Sequence, residues 1–283
     1  MYGCSGSCGC ATANTSALSD GLPVTCKITL MSTWDDKQYL QFADERTRAA
    51  SELLARVPLE IVNYAVDLGC GPGPSTELLR RRWPSSRVVG VDNSNEMLER
   101  ARADWPSGEW VCSEALRFNF GTPPDLIFAN ALLQWLPDHD SIFPQLIERL
   151  QPGGVLAVQM PRNFTEPSHR LMRELGAPWE ARLGEVRSIS PVQTPVYYYD
   201  LLATRAKHVD IWQTTYEHVM PDVASIVEWV KGTGIRPYLA ALREDEQALY
   251  LAAYSRALDE AYPHRSDGKR LFSFPRIFIV AMR

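Results

Sequence analysis

The chain has 283 residues, of which 45% are hydrophobic and 22% charged, so one large domain or two modest ones can bury an ordinary core and wholesale disorder is excluded. Lys and Arg total 29 against 34 Asp and Glu, a net charge of -5, which argues against nucleic acid or an anionic membrane as partner but leaves room for a basic pocket that takes a small anion. No run approaches the ~18 apolar residues of a spanning helix; the longest, Leu126 to Leu136, is broken by Asn130 and Gln134.

Residues 1–30 differ from the rest. Cys4, Cys8, Cys10 and Cys26 fall here, Asp20 and Lys27 are the only charges, and Gly, Ser, Ala and Thr show no helical or strand period. Such a stretch is expected to be a flexible extension outside the fold. A metal clip from Cys4, Cys8 and Cys10 is the alternative, but it lacks a C-x-x-C pair or a partnering histidine. No basic segment precedes an apolar core, so it does not read as a signal peptide. The body keeps only Cys70 and Cys112, which fits a reducing compartment and a cytoplasmic protein.

In chain order, Asp35 or Asp36 caps a predicted helix running to about Val57, with Tyr39, Leu40, Phe42, Leu53 and Leu54 among its apolar positions and Pro58 beyond it. Ala65 to Leu68 reads as a short buried strand ending in a glycine turn, followed by a helix from Ser75 to about Trp83. Arg87 to Asp92 is a second strand, and Asn95 to Asp104 a helix with Met97, Leu98 and Ala101 on one side. Trp110 to Cys112, Asp125 to Asn130 and Gly154 to Gln159 are further strands, with a helix over Ile142 to Leu150 between the last two. His208 to Val219 alternates in character and reads as a longer strand, as does Phe274 to Met282. Strands alternating with helices imply parallel βαβ units, so the expected fold class is α/β, a doubly wound, mostly parallel seven-stranded sheet. Two mainly helical stretches, about 166–205 and 222–262, are too long for simple connections. They are read as a helical cap over the C-terminal edge of the sheet, where such sheets bind ligands. The expected organisation is therefore an extension over 1–30 and one domain over 31–283, with its ligand-binding half at about 60–160.

The sharpest motif is Val66-Asp67-Leu68-Gly69-Cys70-Gly71-Pro72-Gly73, where glycine lets the backbone turn tightly and approach a ligand. A dinucleotide fingerprint would need glycine at position 74, which is Pro74, and a phosphate loop would need a lysine that is absent. Asp92 ends the second strand about twenty residues on, where a carboxylate can take two ribose hydroxyls. The pairing points to a nucleoside-type cofactor without saying which.

This turn, with Asp92 and the order of the strands, resembles the class I S-adenosylmethionine-dependent methyltransferases, which have a Rossmann-like fold. The resemblance implies that Asp67, Gly69, Gly71 and Gly73 wrap the methionine part of S-adenosyl-L-methionine and that Asp92 holds the ribose. It implies further that Glu114 and the Ala115 amide face the adenine, with Met97 either packed against it or kept in the helix core. Asn130 ends the fourth strand beside the expected methyl group, and Gln134 and Trp135 close the pocket, a core position being the alternative for Trp135. A closer resemblance covers nearly all of 31–283. The segments Tyr39 to Arg46, Phe128 to His139, Gly154 to Pro161, Gly232 to Pro237 and Phe274 to Arg276 are similar to the bacterial trans-aconitate 2-methyltransferase family, which esterifies one carboxylate of trans-aconitate. Pro74 and Arg162 depart from it, standing where the family tends to have asparagine and aspartate.

The chemistry suits the residues. A carboxylate acceptor, of pKa ~4, is ionised at neutral pH and needs no general base, so no catalytic residue beyond positioning is expected. The Asn/Asp-Pro-Pro-Tyr/Phe motif of amino methyltransferases is absent, Phe128 to Ala131 occupying its place. A triacid needs fixed cations, and the planar fork of arginine pairs best with a carboxylate. Candidates are Arg46, Arg236 and Arg276, with Tyr39, Tyr198, Tyr199 and His169 as hydrogen-bond donors. His139, His208, His218 and His264 read as structural, and their spacing offers no metal triad. The expected partner is a small tricarboxylic acid, with no nucleic acid or membrane, and the chain a monomer or weak homo-oligomer. The alternatives are another small acid or a hydroxyl as acceptor, a cofactor-binding protein without catalysis, and a nicotinamide dehydrogenase, against which Pro74 argues.

Overall fold

The computed structural model describes residues 43–187 and 192–283, and their side chains except at 43–46 and 187. The expected extension over 1–30, the start of the first helix and Tyr39 lie outside the described residues. So does the side chain of Arg46.

The described strands are β1 (Tyr64–Leu68), β2 (Arg87–Asp92), β3 (Glu109–Cys112), β4 (Leu126–Asn130), β5 (Val155–Pro161), β6 (His208–Met220) and β7 (Arg270–Met282). They form one sheet in the order β3-β2-β1-β4-β5-β7-β6. The first five are parallel, while β7 runs antiparallel to both β5 and β6. The reversal of strand order beside β1 makes a crevice at the C-terminal ends of β1 and β4. Among the described residues no helix is long and apolar enough to cross a membrane.

The sequence makes the central strands by apolar continuity. Every residue of β1 is buried, and β4 and β5 are buried up to their last residue, as strands covered on both faces must be. On one face lie α1 (Ala43–Ala55) and α2 (Pro74–Arg82), where Ala49, Leu53 and Leu79 meet Ala65, Phe128 and Ala157. On the other lie α4 (His139–Arg149) and α7 (Pro195–Leu202), where Phe143, Leu146, Tyr198 and Leu202 meet Ile127, Leu156 and Ile279. Between β2 and β3, α3 (Asn95–Asp104) starts at Ser94, whose hydroxyl accepts from the Met97 amide.

The cap has its own core. Helices α5 (Pro167–Leu175), α6 (Glu180–Arg187), α8 (Val223–Lys231), α9 (Arg236–Ala241) and α10 (Glu244–Ala261) bring Met172, Leu183, Trp229, Tyr238, Tyr250 and Leu258 against Phe272 and Phe274. The polar tips of the buried tyrosines are used: Tyr250 donates to Met172 O at 2.9 Å and Tyr254 to Ser168 O at 2.8 Å, tying α10 to α5. The cap stands on a ribbon. β6 and β7 pair over their full lengths, but β5 pairs only with Arg276–Met282. The remaining six residues of β7 project roughly 20 Å past β5 at the usual rise per residue.

Several boundaries differ from the sequence reading. β7 begins at Arg270 rather than Phe274: Arg270 to Ser273 pair with Glu217 to Met220 of β6, and Phe272 packs in the cap core. α4 begins at His139 rather than Ile142, its first turn closed by the bond from Ile142 N to Asp138 O. The stretch 166–205, expected to be cap throughout, divides: α5 and α6 join the cap core, whereas α7 packs on the sheet.

Candidate functional site

The glycine turn follows β1 directly. Gly69, Gly71 and Gly73 have φ of 68°, 54° and 95°, a region that costs other residues energy. Gly69 N and Cys70 N both donate to Val91 O, at 2.7 and 3.1 Å, so the turn is bound to the end of β2. A side chain at Gly73 would strike Trp110 at 2.6 Å and Trp105 at 2.9 Å. Pro74 takes the first helical position of α2, where its missing N–H is no loss.

Asp67 and Asp92 flank this turn. Asp67 is fully buried; its Oδ2 accepts from Ser75 Oγ and Thr76 Oγ1, each at 2.6 Å, while its Oδ1 has no partner. Burial raises its pKa to about 7, against the two hydroxyl bonds that lower it. Asp92 accepts from Gly71 N and Ser94 N at 2.9 Å, one bond to each oxygen, and burial raises its pKa too. Glu114 follows β3 and stays exposed, accepting from Asn93 Nδ2 at 3.4 Å, while Ser113 N donates to Asp92 O at 3.0 Å. Ala115 is half-buried, and Met97 is buried in the first turn of α3.

At the end of β4, Ala131 has φ 57° and bonds back to Gln159 O at 2.9 Å. This strained corner leads into a short 3-10 turn, Leu133–Trp135. Asn130 Oδ1 is buried without a partner, as is Gln134 Oε1, although Gln134 Nε2 donates to Ala131 O at 2.7 Å. Trp135 is exposed, and the Leu132 side chain lies against Gly69.

The cap side is rich in donors. Arg276 is 3% exposed and sits where β7 leaves β5, its guanidinium 4.8 Å from the Phe274 ring and 5.7 Å from that of Tyr216. It donates to Gln159 Oε1 at 3.2 Å; Gln159 is fully buried and its Nε2 has no partner. Arg48 of α1 also lies over the Tyr216 ring, at 4.7 Å, and the Tyr216 hydroxyl donates to Glu52 Oε2 at 2.7 Å. His218 follows on β6, its Nε2 unpartnered and its pKa lowered to about 4 by burial, then by Arg276 and Arg48. His169 on α5 is likewise lowered to about 4, by burial and then Arg173. It packs on Gly234, where a side chain would meet its Nε2 at 2.8 Å, and its ring is 6.4 Å from Phe274. Arg236 opens α9 two residues after Gly234 and is half-buried.

The structure thus gathers Asp67, the glycines, Asp92, Glu114, Asn130 and Gln134 at one edge, and joins His169 to the strand carrying Arg276. It does not bring Tyr198 to a ligand. That side chain is fully buried, and its hydroxyl donates to His139 Nδ1 at 2.8 Å and accepts from Gln193 N at 3.2 Å. His139 Nε2–H is committed to Leu133 O at 2.9 Å, which leaves Nδ1 as the acceptor. Tyr199 is 54% exposed on α7. Arg162 donates to Gln193 O at 3.1 Å and Gln213 Oε1 at 3.2 Å. Gln159 and Tyr216 were not singled out from the sequence, and His218 was read as structural. Gln159 had a signal, being the polar residue inside the apolar run Val155-Leu156-Ala157-Val158-Gln159-Met160; the other two become visible only through cross-strand pairing. Among the described residues no cluster of His, Cys, Asp and Glu could hold a metal ion.

A family model described as a methyltransferase domain matches residues 65–154. Among solved structures, the YcgJ protein of Bacillus subtilis superposes with a TM-score of 0.55 at 14% identity, covering 83% of this chain and 98% of that one. Phosphoethanolamine N-methyltransferase 2 of Haemonchus contortus, in complex with S-adenosylhomocysteine, gives 0.51 at 15% identity, covering 83% and 52%. These likenesses show the fold. Full-length relatives are much nearer. The trans-aconitate 2-methyltransferase of Azoarcus sp. (strain BH72) is 61% identical over 89% of this chain and 100% of its own. Those of Methylobacterium radiotolerans and Escherichia coli O139:H28 are 52% and 50% identical, each over 89% of this chain and 99% of its own. With such identity running through both the sheet and the cap, the chain belongs to the trans-aconitate 2-methyltransferase family.

Proposed function

We propose that this protein transfers a methyl group from S-adenosyl-L-methionine to a carboxylate of trans-aconitate, giving a monomethyl ester. One observation carries the reading: at the C-terminal ends of β1, β4 and β5 several buried polar atoms are left without partners, and they differ in kind. Around the glycine turn they are acceptors, Asp67 Oδ1, Asn130 Oδ1 and Gln134 Oε1, whereas Gln159 Nε2, beside Arg276, is a donor. Acceptors fit a ligand rich in N–H and O–H groups and positive charge; donors and guanidinium fit a polyanion. The residues therefore fit the cofactor.

When bound, S-adenosyl-L-methionine supplies an electrophilic methyl on sulfur, which passes to a carboxylate oxygen as the carbon–sulfur electron pair returns to sulfur. The chain's own residues position. Asp67, Gly69, Gly71 and Gly73 would hold the amino-acid end, Asp92 the ribose, and Glu114, Ala115 and Met97 the base, with Asn130, Gln134 and Trp135 beside the methyl. Arg276, Arg236 and His169 would hold the acid, joined by Tyr39 and Arg46 from the first helix. Tyr199 would reach it only from its exposed place on α7. No proton need move, because the acceptor is already ionised. With pKa values lowered to about 4, His169 and His218 are neutral at pH 7, so they would meet the acid as uncharged groups and Arg276 and Arg236 would supply positive charge. Alignment of this kind contributes up to ~7–11 kcal/mol in well-oriented systems. Cys70 and Cys112 are free thiols, which goes with a cytoplasmic protein, and one chain carries both halves of the site, so a monomer or weak homo-oligomer suffices.

The test is the product mass and ester position from purified protein, cofactor and trans-aconitate, with a panel of other acids alongside. Turnover of another acid or of a hydroxyl above trans-aconitate would replace the substrate. Tight cofactor binding with no ester from any acid would replace catalysis by a binding role.

A further inference from the structure

We propose that Gln159 orients the reacting carboxylate of the acid, choosing which carboxylate is esterified. This rests on the methyl transfer to trans-aconitate proposed above. Gln159 lies on β5 with Asn130 as its register partner on β4, at the strand end beside the glycine turn, and Phe278 as its partner on β7. It is fully buried, so its amide is not a solvated surface group. Its orientation is fixed by chemistry. A guanidinium only donates, so the bond from Arg276 requires the amide oxygen to face it and turns the NH2 group away. That NH2 has no acceptor, in a place where an unpaired donor is costly. The natural occupant is an anionic oxygen. Asn130 Oδ1, equally unpartnered, repels such an oxygen and instead suits the donors of the cofactor, so an acid beside this pair is placed by Gln159.

A neutral donor also suits the attacking group better than a cation does. A carboxylate paired through two bonds to a guanidinium has its lone pairs engaged and its charge neutralised, which lowers its nucleophilicity. A single amide N–H holds one oxygen and leaves the other to attack the methyl carbon; the new C–O bond forms as the carbon–sulfur bond breaks toward sulfur. The arginines then hold the carboxylates that do not react, and Gln159 selects the one that does.

The experiment compares wild type, Gln159→Leu and Gln159→Glu as full chains. It reads S-adenosylhomocysteine affinity by calorimetry, kcat/KM for trans-aconitate, and the ratio of positional monomethyl esters by NMR. Both variants should bind S-adenosylhomocysteine within about twofold of wild type. Loss of one bond to a charged group should lower kcat/KM by about 10- to 100-fold in Gln159→Leu and give more than one ester. Gln159→Glu keeps the shape and the Arg276 contact but offers only acceptors, so it should be the slower of the two. A purely structural role predicts the opposite order. Glu faster than Leu, an unchanged ester ratio, or loss of folding or S-adenosylhomocysteine binding in both variants overturns the assignment. A wild type that makes no ester from trans-aconitate sinks the underlying activity instead, and the assignment with it.

Discussion

Asp92 is held in place by the backbone, one oxygen accepting from Gly71 N and the other from Ser94 N. The carboxylate keeps acceptor capacity beyond these bonds, so it is a preset acceptor at the end of β2. Asp92→Ala removes that acceptor and frees the Gly71 amide. We expect S-adenosylhomocysteine affinity to fall by at least ~10-fold in calorimetry, the scale of a lost bond to a charged group. Arg276→Ala should raise KM for the acid with cofactor affinity nearly unchanged; equal KM values would place the acid elsewhere. His218 offers a test by pH. Its ordinary value is 6.5 and burial lowers it to about 4, so between these an unfolded chain takes up a proton that the folded one refuses. Its contribution is therefore full above pH 6.5 and is lost as pH falls toward 4. His218→Asn should gain on wild type as urea melts move from pH 7.5 to pH 5, and a constant difference would refute the burial. At this scale, legibility followed chain locality. Asp67, the glycines and Asp92 stand in one short motif or at a fixed spacing from it. Gln159, Tyr216 and His218 acquire meaning from partners on other strands, and Tyr198 was misread because nothing local announces that His139 and Gln193 will claim its hydroxyl.

Elements were legible where hydrophobicity alone decides them. β2 and α3 fall where their patterns end, at Asp92 and Asp104. Pairing decides the others, as where β7 extends back to Arg270 along β6, and composition could not tell that α7 would cover the sheet while α5 joins the cap. The glycine turn is the element on which the site depends most. Gly73 has φ 95°, and Trp110 and Trp105 close over the space a side chain would need. Gly73→Ala adds a left-handed backbone cost of ~1–2 kcal/mol. The clash with two rings adds to it, and at ~2 kcal/mol in all a domain of this size loses about 4–8 °C in Tm. The same change shifts the start of α2, so cofactor affinity should fall with it. A variant with wild-type Tm and affinity would mean that the turn tolerates what its geometry forbids.

The net charge of -5 disfavours a trianion at long range, so the acid depends on local cations. In the proposed complex Arg276 and Arg236 would act from the cap and its ribbon, while the methyl would be presented from the β4 side. A positive sulfur therefore adds its attraction to theirs. The two ligands should bind with positive coupling, and by linkage each should tighten the other equally. Coupling of this kind is typically ~1–3 kcal/mol, or about 5–150-fold. The neutral sulfur of S-adenosylhomocysteine should supply less of it than an analogue with an amine in place of the sulfonium. Calorimetric titration of trans-aconitate into the protein saturated with each compound measures the difference, and the amine complex should bind the acid more tightly. Because the neutral product sulfur loses this attraction as soon as the methyl has left, the same asymmetry would favour release of the ester. Equal affinities in the two complexes would mean that the acid sits too far from the methyl for in-line transfer.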